Sequence, residues 1–359
     1  MPPHHILVIT TLASYGISSL VFEVKSDAVL FYVAAVISLA LVFGKIGFQI
    51  KIKSFEINLI NIEKNKIFFL ILFLLSSALN IQQLLVSFSI DDPVTTKNIL
   101  TEVALESADS GSPFMTLIYV IGFVSVFIAA KLHVTKGFNY YCALVIGCLI
   151  IPSILSFSRL QLVVNTSIYF FAYVNYGKFE SKDLQKIAVK FILVLIAVFL
   201  IIMALRFQDN EGNVLEAIVY YIFGGFAALS LDFNELINNS YIKGNTFYGL
   251  NAWLFKLGII EELPSIHLAF KEIGLGYTNV YTGYRHLIVD YGIYGSLIFI
   301  VILSLISSIA YANKKKDSMI PIIALCSTYG ALIFYTSAFI DARVVVGVLL
   351  SSLIFGINK

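Results

Sequence analysis

The stretch Phe138 to Tyr176, FNYYCALVIGCLIIPSILSFSRLQLVVNTSIYFFAYVNY, contains 39 residues, and its only charged residue is Arg159. A single helix of that length would extend about 58 Å at 1.5 Å per residue, whereas the hydrocarbon core of a bilayer is about 30 Å thick. The stretch therefore predicts two membrane-spanning helices that fold back on each other, with the reversal between Pro152 and Arg159.

The whole chain is also rich in apolar residues and poor in charged ones. Of its 359 residues, 59% are hydrophobic and 13% are charged, whereas a soluble domain has about 45–50% apolar and about 25% charged residues. A soluble globular protein is therefore excluded. The net charge of +2 predicts no nucleic-acid partner. The three cysteines lie in apolar runs without neighbouring histidines, so we expect no disulfide framework and no zinc site.

Ten apolar windows qualify as membrane spans when charged residues are taken as their boundaries. They are Ile6 to Phe22, Ala28 to Phe43, Ile67 to Phe88, Phe114 to Ala130, Phe138 to Phe157, Leu160 to Tyr176, Ile187 to Leu205, Tyr291 to Tyr311, Met319 to Phe339 and Val344 to Ile357. The sequence thus predicts an all-α polytopic membrane protein, with residues 1–359 forming a single transmembrane domain of about ten helices.

Lysines indicate the orientation, because short cytoplasmic loops are enriched in Lys and Arg. Lysines cluster in the loops after spans two, four, six and eight, so these loops and both termini are expected to be cytoplasmic. Two long loops, residues 87–113 and residues 206–290 between spans seven and eight, then lie outside. The second contains the apolar stretches Val214 to Leu231 and Phe247 to Ile260, which we expect to form interfacial helices. If both crossed the membrane, there would be twelve spans.

Arginine is used sparingly, since the chain has four Arg and 20 Lys. In the ten-span topology, all four arginines lie at the outer membrane face: Arg159, Arg206, Arg285 and Arg343. A guanidinium group presents a planar set of donors that matches phosphate oxygens, so a cluster of arginines there suits a lipid diphosphate head group. The alternative is structural: Arg206 and Arg343 stand at span ends, where such side chains often reach the interface, and Arg343 has Asp341 nearby.

The densest set of polar residues runs from Asn279 to Asp290. His286 and Asp290 are four residues apart, which places them on one face of a helix, where the carboxylate could hold the imidazole in one tautomer. Such a pair is typical of a general base. The alternative is an interfacial belt of Tyr281, Tyr284 and Tyr291 with a solvated His286 and Asp290 as a helix cap.

The passage Asn279 to Gly295, NVYTGYRHLIVDYGIYG, resembles the Wzy-type oligosaccharide repeat-unit polymerases, which make the O-antigens and capsules of bacteria. In this family, an Asn-x-Tyr-Thr sequence, an Arg and an Asp-aromatic-Gly-x-x-Gly sequence lead into a late span. Further support comes from Ser158-Arg159 at an outer hairpin, from the long outer loop and from the number of spans.

The resemblance implies a glycosyltransferase in the bacterial inner membrane that acts at its periplasmic face. It would transfer a growing glycan from undecaprenyl diphosphate to a lipid-linked repeat unit, without a metal or cofactor, and possible further partners are membrane lipid and a chain-length regulator. The implied site residues have three roles. Arg159, Arg206, Arg285 and Arg343 would bind the diphosphate, Tyr281 and Tyr284 would contact sugars, and His286 with Asp290 would form the base, with Asp232 and Glu216 as alternatives.

Two other functions remain open. An O-antigen ligase uses the same chemistry, but ligases usually carry a His-Asn pair in this loop, and Leu287 follows His286 here. A flippase for lipid-linked oligosaccharides belongs to another class of protein. It should have basic residues within the helix bundle and repeat symmetry between its halves, and the sequence shows neither.

Overall fold

The computed structural model of the chain describes residues 1–22, 26–52, 62–87, 113–155, 159–206, 214–238, 246–247, 250–251, 254–255, 258–261, 271–273, 276–278, 282–334, 339 and 341–357. Helices dominate these residues. Their bounds are α1 Pro3–Phe22, α2 Asp27–Gln49, α3 Ile62–Ser87, α4 Pro113–Gly122, α5 Val124–Lys136, α6 Tyr140–Leu155, α7 Arg159–Tyr176, α8 Ser181–Arg206, α9 Val214–Asn238, α10 Gly283–Ala312, α11 Met319–Leu332 and α12 Ala342–Ile357. A short antiparallel hairpin, β1 Lys271–Ile273 and β2 Gly276–Thr278, precedes α10.

Five helical segments among these residues are long and apolar enough to cross a membrane. They are Pro3–Phe22, Asp27–Gln49, Lys64–Gln82, Phe114–Lys136 and Gly283–Ala312. The prediction of a helical protein with helices long and apolar enough to span a membrane is confirmed in this form. The predicted reversal in the long apolar stretch is also confirmed, because α6 ends at Leu155, three residues after Pro152, and α7 begins at Arg159.

The chain divides into two compact units. Unit 1 contains residues Met1–Lys53, Glu211–Lys314 and Leu325–Ala342, and unit 2 contains Ser54–Asn210, Lys315–Ala324 and Arg343–Lys359. In unit 2, α3 packs against α4 and α6, while α7 packs against α5 and α6. The predicted outer loop, residues 87–113, lies outside the described residues apart from its two ends.

The most extensive helix contact of unit 1 joins α2 to α10. The buried face of α2 repeats every three or four residues and ends in small side chains, since Ala40, Gly44 and Gly47 are buried. A Cβ atom at Gly47 would lie 2.8 Å from the carbonyl oxygen of Leu305, so only glycine permits this approach to α10. Small residues at such contacts are typical of membrane helices, where close van der Waals packing replaces the hydrophobic effect.

Helix α9 differs from the predicted interfacial helix in how it is packed. It lies against α1 and also contacts α2, α10 and both strands of the hairpin. Its residues from Gly224 to Leu229 are consecutively buried, as are Asp232 and Phe233. This segment of the predicted outer loop is therefore an integral part of the packing of unit 1. Of the second apolar stretch, residues 247–260, the structure describes residues 247, 250–251, 254–255 and 258–260.

Candidate functional site

The first turns of α10 carry Arg285, His286 and Asp290 on one short helical segment. Thr282 caps this segment, because its hydroxyl accepts a hydrogen bond from the backbone N–H of Arg285 at 3.4 Å. The backbone N–H of Gly283 donates to the carbonyl oxygen of Ile333 at 2.7 Å, which ties the segment to the end of α11. The segment ends at Gly292, whose φ of 68° is non-helical and kinks α10.

Helix α9 approaches the start of α10 closely at Gly225. A Cβ atom there would lie 2.7 Å from the carbonyl oxygen of Phe334 and 3.3 Å from the backbone nitrogen of Thr282. Asp232 follows Gly225 by seven residues, which is about two helical turns, so both residues lie on the same face of α9. The absence of a side chain at Gly225 thus lets α9 bring a carboxylate to the segment that carries the candidate residues.

That carboxylate forms an ion pair with Arg285. Oδ2 of Asp232 lies 3.4 Å from Nε of Arg285, and their side chains are 4% and 15% exposed. A buried charge of either sign is costly without a partner, so the two groups compensate each other in the interior of unit 1. From the sequence, Asp232 is predicted only as an alternative base. Its role as the partner of Arg285 depends on the packing of α9, and no local sequence pattern predicts this role.

His286 and Asp290 are both buried, with 3% and 1% of their surface exposed. Asp290 is predicted to orient His286. The structure shows Oδ2 of Asp290 accepting a hydrogen bond from the backbone N–H of Thr246 at 2.6 Å. Asp290 therefore also anchors a segment that lies 44 residues away in the chain.

Tyr284, which the resemblance assigns to sugar contact, is a packing residue in unit 1. It is fully buried, and its hydroxyl lies 2.6 Å from Oγ1 of Thr11 in α1. Its ring packs against those of Tyr32 and Phe226, with centroids 5.8 and 6.0 Å away. The hydroxyl and the ring of Tyr284 are thus both engaged by contacts within unit 1. The second predicted sugar contact, Tyr281, lies outside the described residues.

The other three arginines belong to unit 2, whereas Arg285 belongs to unit 1. Arg159 is the first residue of α7 and Arg206 the last residue of α8, and a turn of four residues joins these helices. Stacked rings of Phe170 and Phe191, 4.1 Å apart, hold the two helices together. Both arginines thus belong to the same end of one helical hairpin. The guanidinium of Arg343, at the start of α12, lies 5.4 Å from the ring centroid of Tyr119, which is a cation–π contact.

Within the part of the chain that the structure describes, no three His, Cys, Asp or Glu residues are grouped so that they could hold a metal ion. Comparison of the chain with known protein families, with curated proteins and with solved structures finds no match.

Proposed function

We propose that the protein is a bacterial polysaccharide polymerase, a glycosyltransferase that extends a glycan on undecaprenyl diphosphate by one lipid-linked repeat unit. The observation that carries this proposal is the buried Arg285–Asp232 pair, located beside the buried His286 at the start of α10. Arg285 and His286 belong to the passage Asn279 to Gly295, which resembles the Wzy-type polymerases.

The proposed chemistry uses the two side chains in different roles. A hydroxyl of the acceptor sugar attacks the anomeric carbon of the donor glycan, the bond from that carbon to the diphosphate oxygen breaks, and the lipid diphosphate leaves as an anion. Arg285 stabilises the negative charge that develops on the leaving oxygen. His286, in its neutral form, accepts the proton of the attacking hydroxyl. Because the sugar arrives on a lipid diphosphate, the reaction needs no nucleotide sugar.

The proposal includes a membrane topology. The chain crosses the bacterial inner membrane ten times, both termini are cytoplasmic, and residues 206–290 face the periplasm, where Arg159, Arg206 and Arg343 add to the positive charge. The distribution of lysines supports this orientation. Cysteines introduced at Lys243 and Lys315 should react with a membrane-impermeant maleimide from the periplasm and from the cytoplasm respectively. Labelling of position 243 only from the cytoplasm would refute the topology.

Reconstitution tests the activity. The purified protein in proteoliposomes, supplied only with an undecaprenyl-diphosphate-linked repeat unit, should produce a ladder of longer lipid-linked glycans. A ligase would make no ladder without a lipid A core acceptor, and a flippase would move the lipid without forming a covalent product. Either result would refute the proposal.

Arg285→Lys should lower the rate of polymerisation by about 10- to 150-fold, because an ammonium group cannot reproduce the bidentate contact of a guanidinium. Lys314→Arg, an exposed change at the other end of α10, is the control and should keep the wild-type rate. A wild-type rate for Arg285→Lys at equal expression would show that the guanidinium does not bind the diphosphate.

A further inference from the structure

Arg285 is engaged by a carboxylate of its own chain. The contact is fixed by packing, because Gly225 brings α9 against Thr282 and the same face of α9 carries Asp232. Phe233, the next residue, packs against Tyr32 of α2, with their ring centroids 5.8 Å apart. The contacts of Gly225 with Thr282 and of Phe233 with Tyr32 therefore fix the position of the Asp232 carboxylate.

The opposite charges of Arg285 and Asp232 already compensate each other before an anionic ligand binds. A diphosphate that approaches Arg285 meets the negative charge of Asp232 at the same guanidinium group. In an interior of low polarity, two anions close together repel each other strongly. The ligand must therefore compete with Asp232, and a bidentate phosphate group competes better than a single carboxylate or a chloride ion does.

We infer that Asp232 is a positioning residue that holds Arg285 in place in the empty site and then competes with the lipid diphosphate, so that the product is released after each transfer. This inference rests on the proposed function, since it takes the ligand of Arg285 to be a diphosphate. The competition selects for polyanionic ligands. It also prevents the diphosphate leaving group from remaining bound to a buried, uncompensated arginine.

Replacement of the Asp232 carboxylate by a neutral amide should strengthen the binding of diphosphate and slow the turnover. In Asp232→Asn, the side chain keeps its size, but the negative charge that opposes the ligand is gone. Diphosphate should then bind at least about tenfold more tightly. Both KM and kcat should fall, because substrate binds more strongly and product leaves more slowly. A residue with a purely structural role would lower kcat when replaced, without tightening the binding of diphosphate.

The experiment measures the binding of undecaprenyl diphosphate to the purified protein in nanodiscs, with inorganic pyrophosphate as a soluble probe, and compares KM and kcat in the ladder assay. Asp232→Asn should bind both probes at least about tenfold more tightly than the wild type. Asp232→Glu retains the charge and should restore the wild-type affinity and at least part of kcat. Asp317→Asn removes a carboxylate from a separate ion pair with Lys131 and should change neither quantity.

The outcomes are distinct. Equal or weaker binding in Asp232→Asn, together with binding by the wild type, would overturn the inference and leave the proposed function standing. No binding of either probe by the wild type or by Asp232→Asn would overturn the diphosphate site and the inference with it. Asp232→Ser is a second neutral variant for the case that the amide prevents folding, and it is expected to bind the probes more tightly in the same way.

Discussion

The contact between Asp290 and Thr246 offers a direct test of how the loop before α10 is held. Oδ2 of Asp290 accepts a hydrogen bond from the backbone N–H of Thr246 at 2.6 Å, and both residues are buried. A hydrogen bond to a charged group contributes about 1.5–3 kcal/mol. Asp290→Ala removes the acceptor, so the local free energy that protects this N–H from solvent should fall by that amount.

Hydrogen exchange measures this protection at the atom concerned. In Asp290→Ala, the amide hydrogen of Thr246 should exchange about 10 to 150 times faster than in the wild type, since 1.4 kcal/mol corresponds to a factor of ten. The neighbouring Phe247 remains packed against Phe299 and Phe339, with ring centroids 6.0 and 5.5 Å away, so the segment as a whole should stay in place. Mass spectrometry of peptides that contain Thr246 gives the rates.

Two controls distinguish the observed role of Asp290 from the role predicted for it. Asp290→Asn keeps an oxygen that can accept the hydrogen bond and should accelerate exchange less than Asp290→Ala does, because only the charge is lost. His286→Ala should leave the exchange of Thr246 unchanged. An unchanged rate in Asp290→Ala, or an equal acceleration in His286→Ala, would refute the reasoning.

Three further predictions concern the geometry and chemistry of the same region. Gly292→Ala should destabilise the protein by about 1–2 kcal/mol, because a φ of 68° is unfavourable for residues with a side chain, and thermal unfolding in detergent measures the loss. Gly225→Ala should cost about 1–3 kcal/mol, because its Cβ would lie 2.7 Å from a backbone oxygen. Gly16→Ala is the control for both, since its Cβ would meet nothing within 4 Å, and equal unfolding temperatures for all three variants would contradict both predictions. His286→Ala should lower kcat by about 10² to 10⁴ while leaving the affinity for undecaprenyl diphosphate unchanged, and a normal rate in the ladder assay would exclude His286 as the base.

The arrangement of helices along the chain could be predicted from the sequence wherever a length constraint applies. The run from Phe138 to Tyr176 is too long for one span, and the structure divides it into α6 and α7 near the expected place. The same reasoning predicts that the eighth span begins at Tyr291, and the non-helical Gly292 separates the segment that starts at Gly283 from the rest of α10 at this place. Arg285 lies in the segment before the kink, where it pairs with Asp232.

The contacts of the site could not be predicted in the same way. The contact of Asp290 with Thr246 joins residues 44 positions apart, and that of Tyr284 with Thr11 joins residues 273 positions apart. Sequence periodicity reports which face of a helix is apolar, but it does not report which helix faces it. From the sequence alone, Tyr284 is therefore indistinguishable from an interfacial aromatic residue. Its contact with Thr11 of α1 shows that it is buried.

Arg343 and Arg285 have different surroundings, since one contacts an aromatic ring and the other a carboxylate. The guanidinium of Arg343 lies over the ring of Tyr119. This packing contact at the start of α12 is sufficient to explain an arginine at this position. Arg285 is placed differently. A protein can hold a helix end at far lower cost with an apolar residue than with a buried ion pair, since an ion pair must recover the loss of two hydration shells. Retaining both charges on two separate helices is understandable if the guanidinium must at times exchange its carboxylate for another anion, and the proposed lipid diphosphate is an anion of that kind.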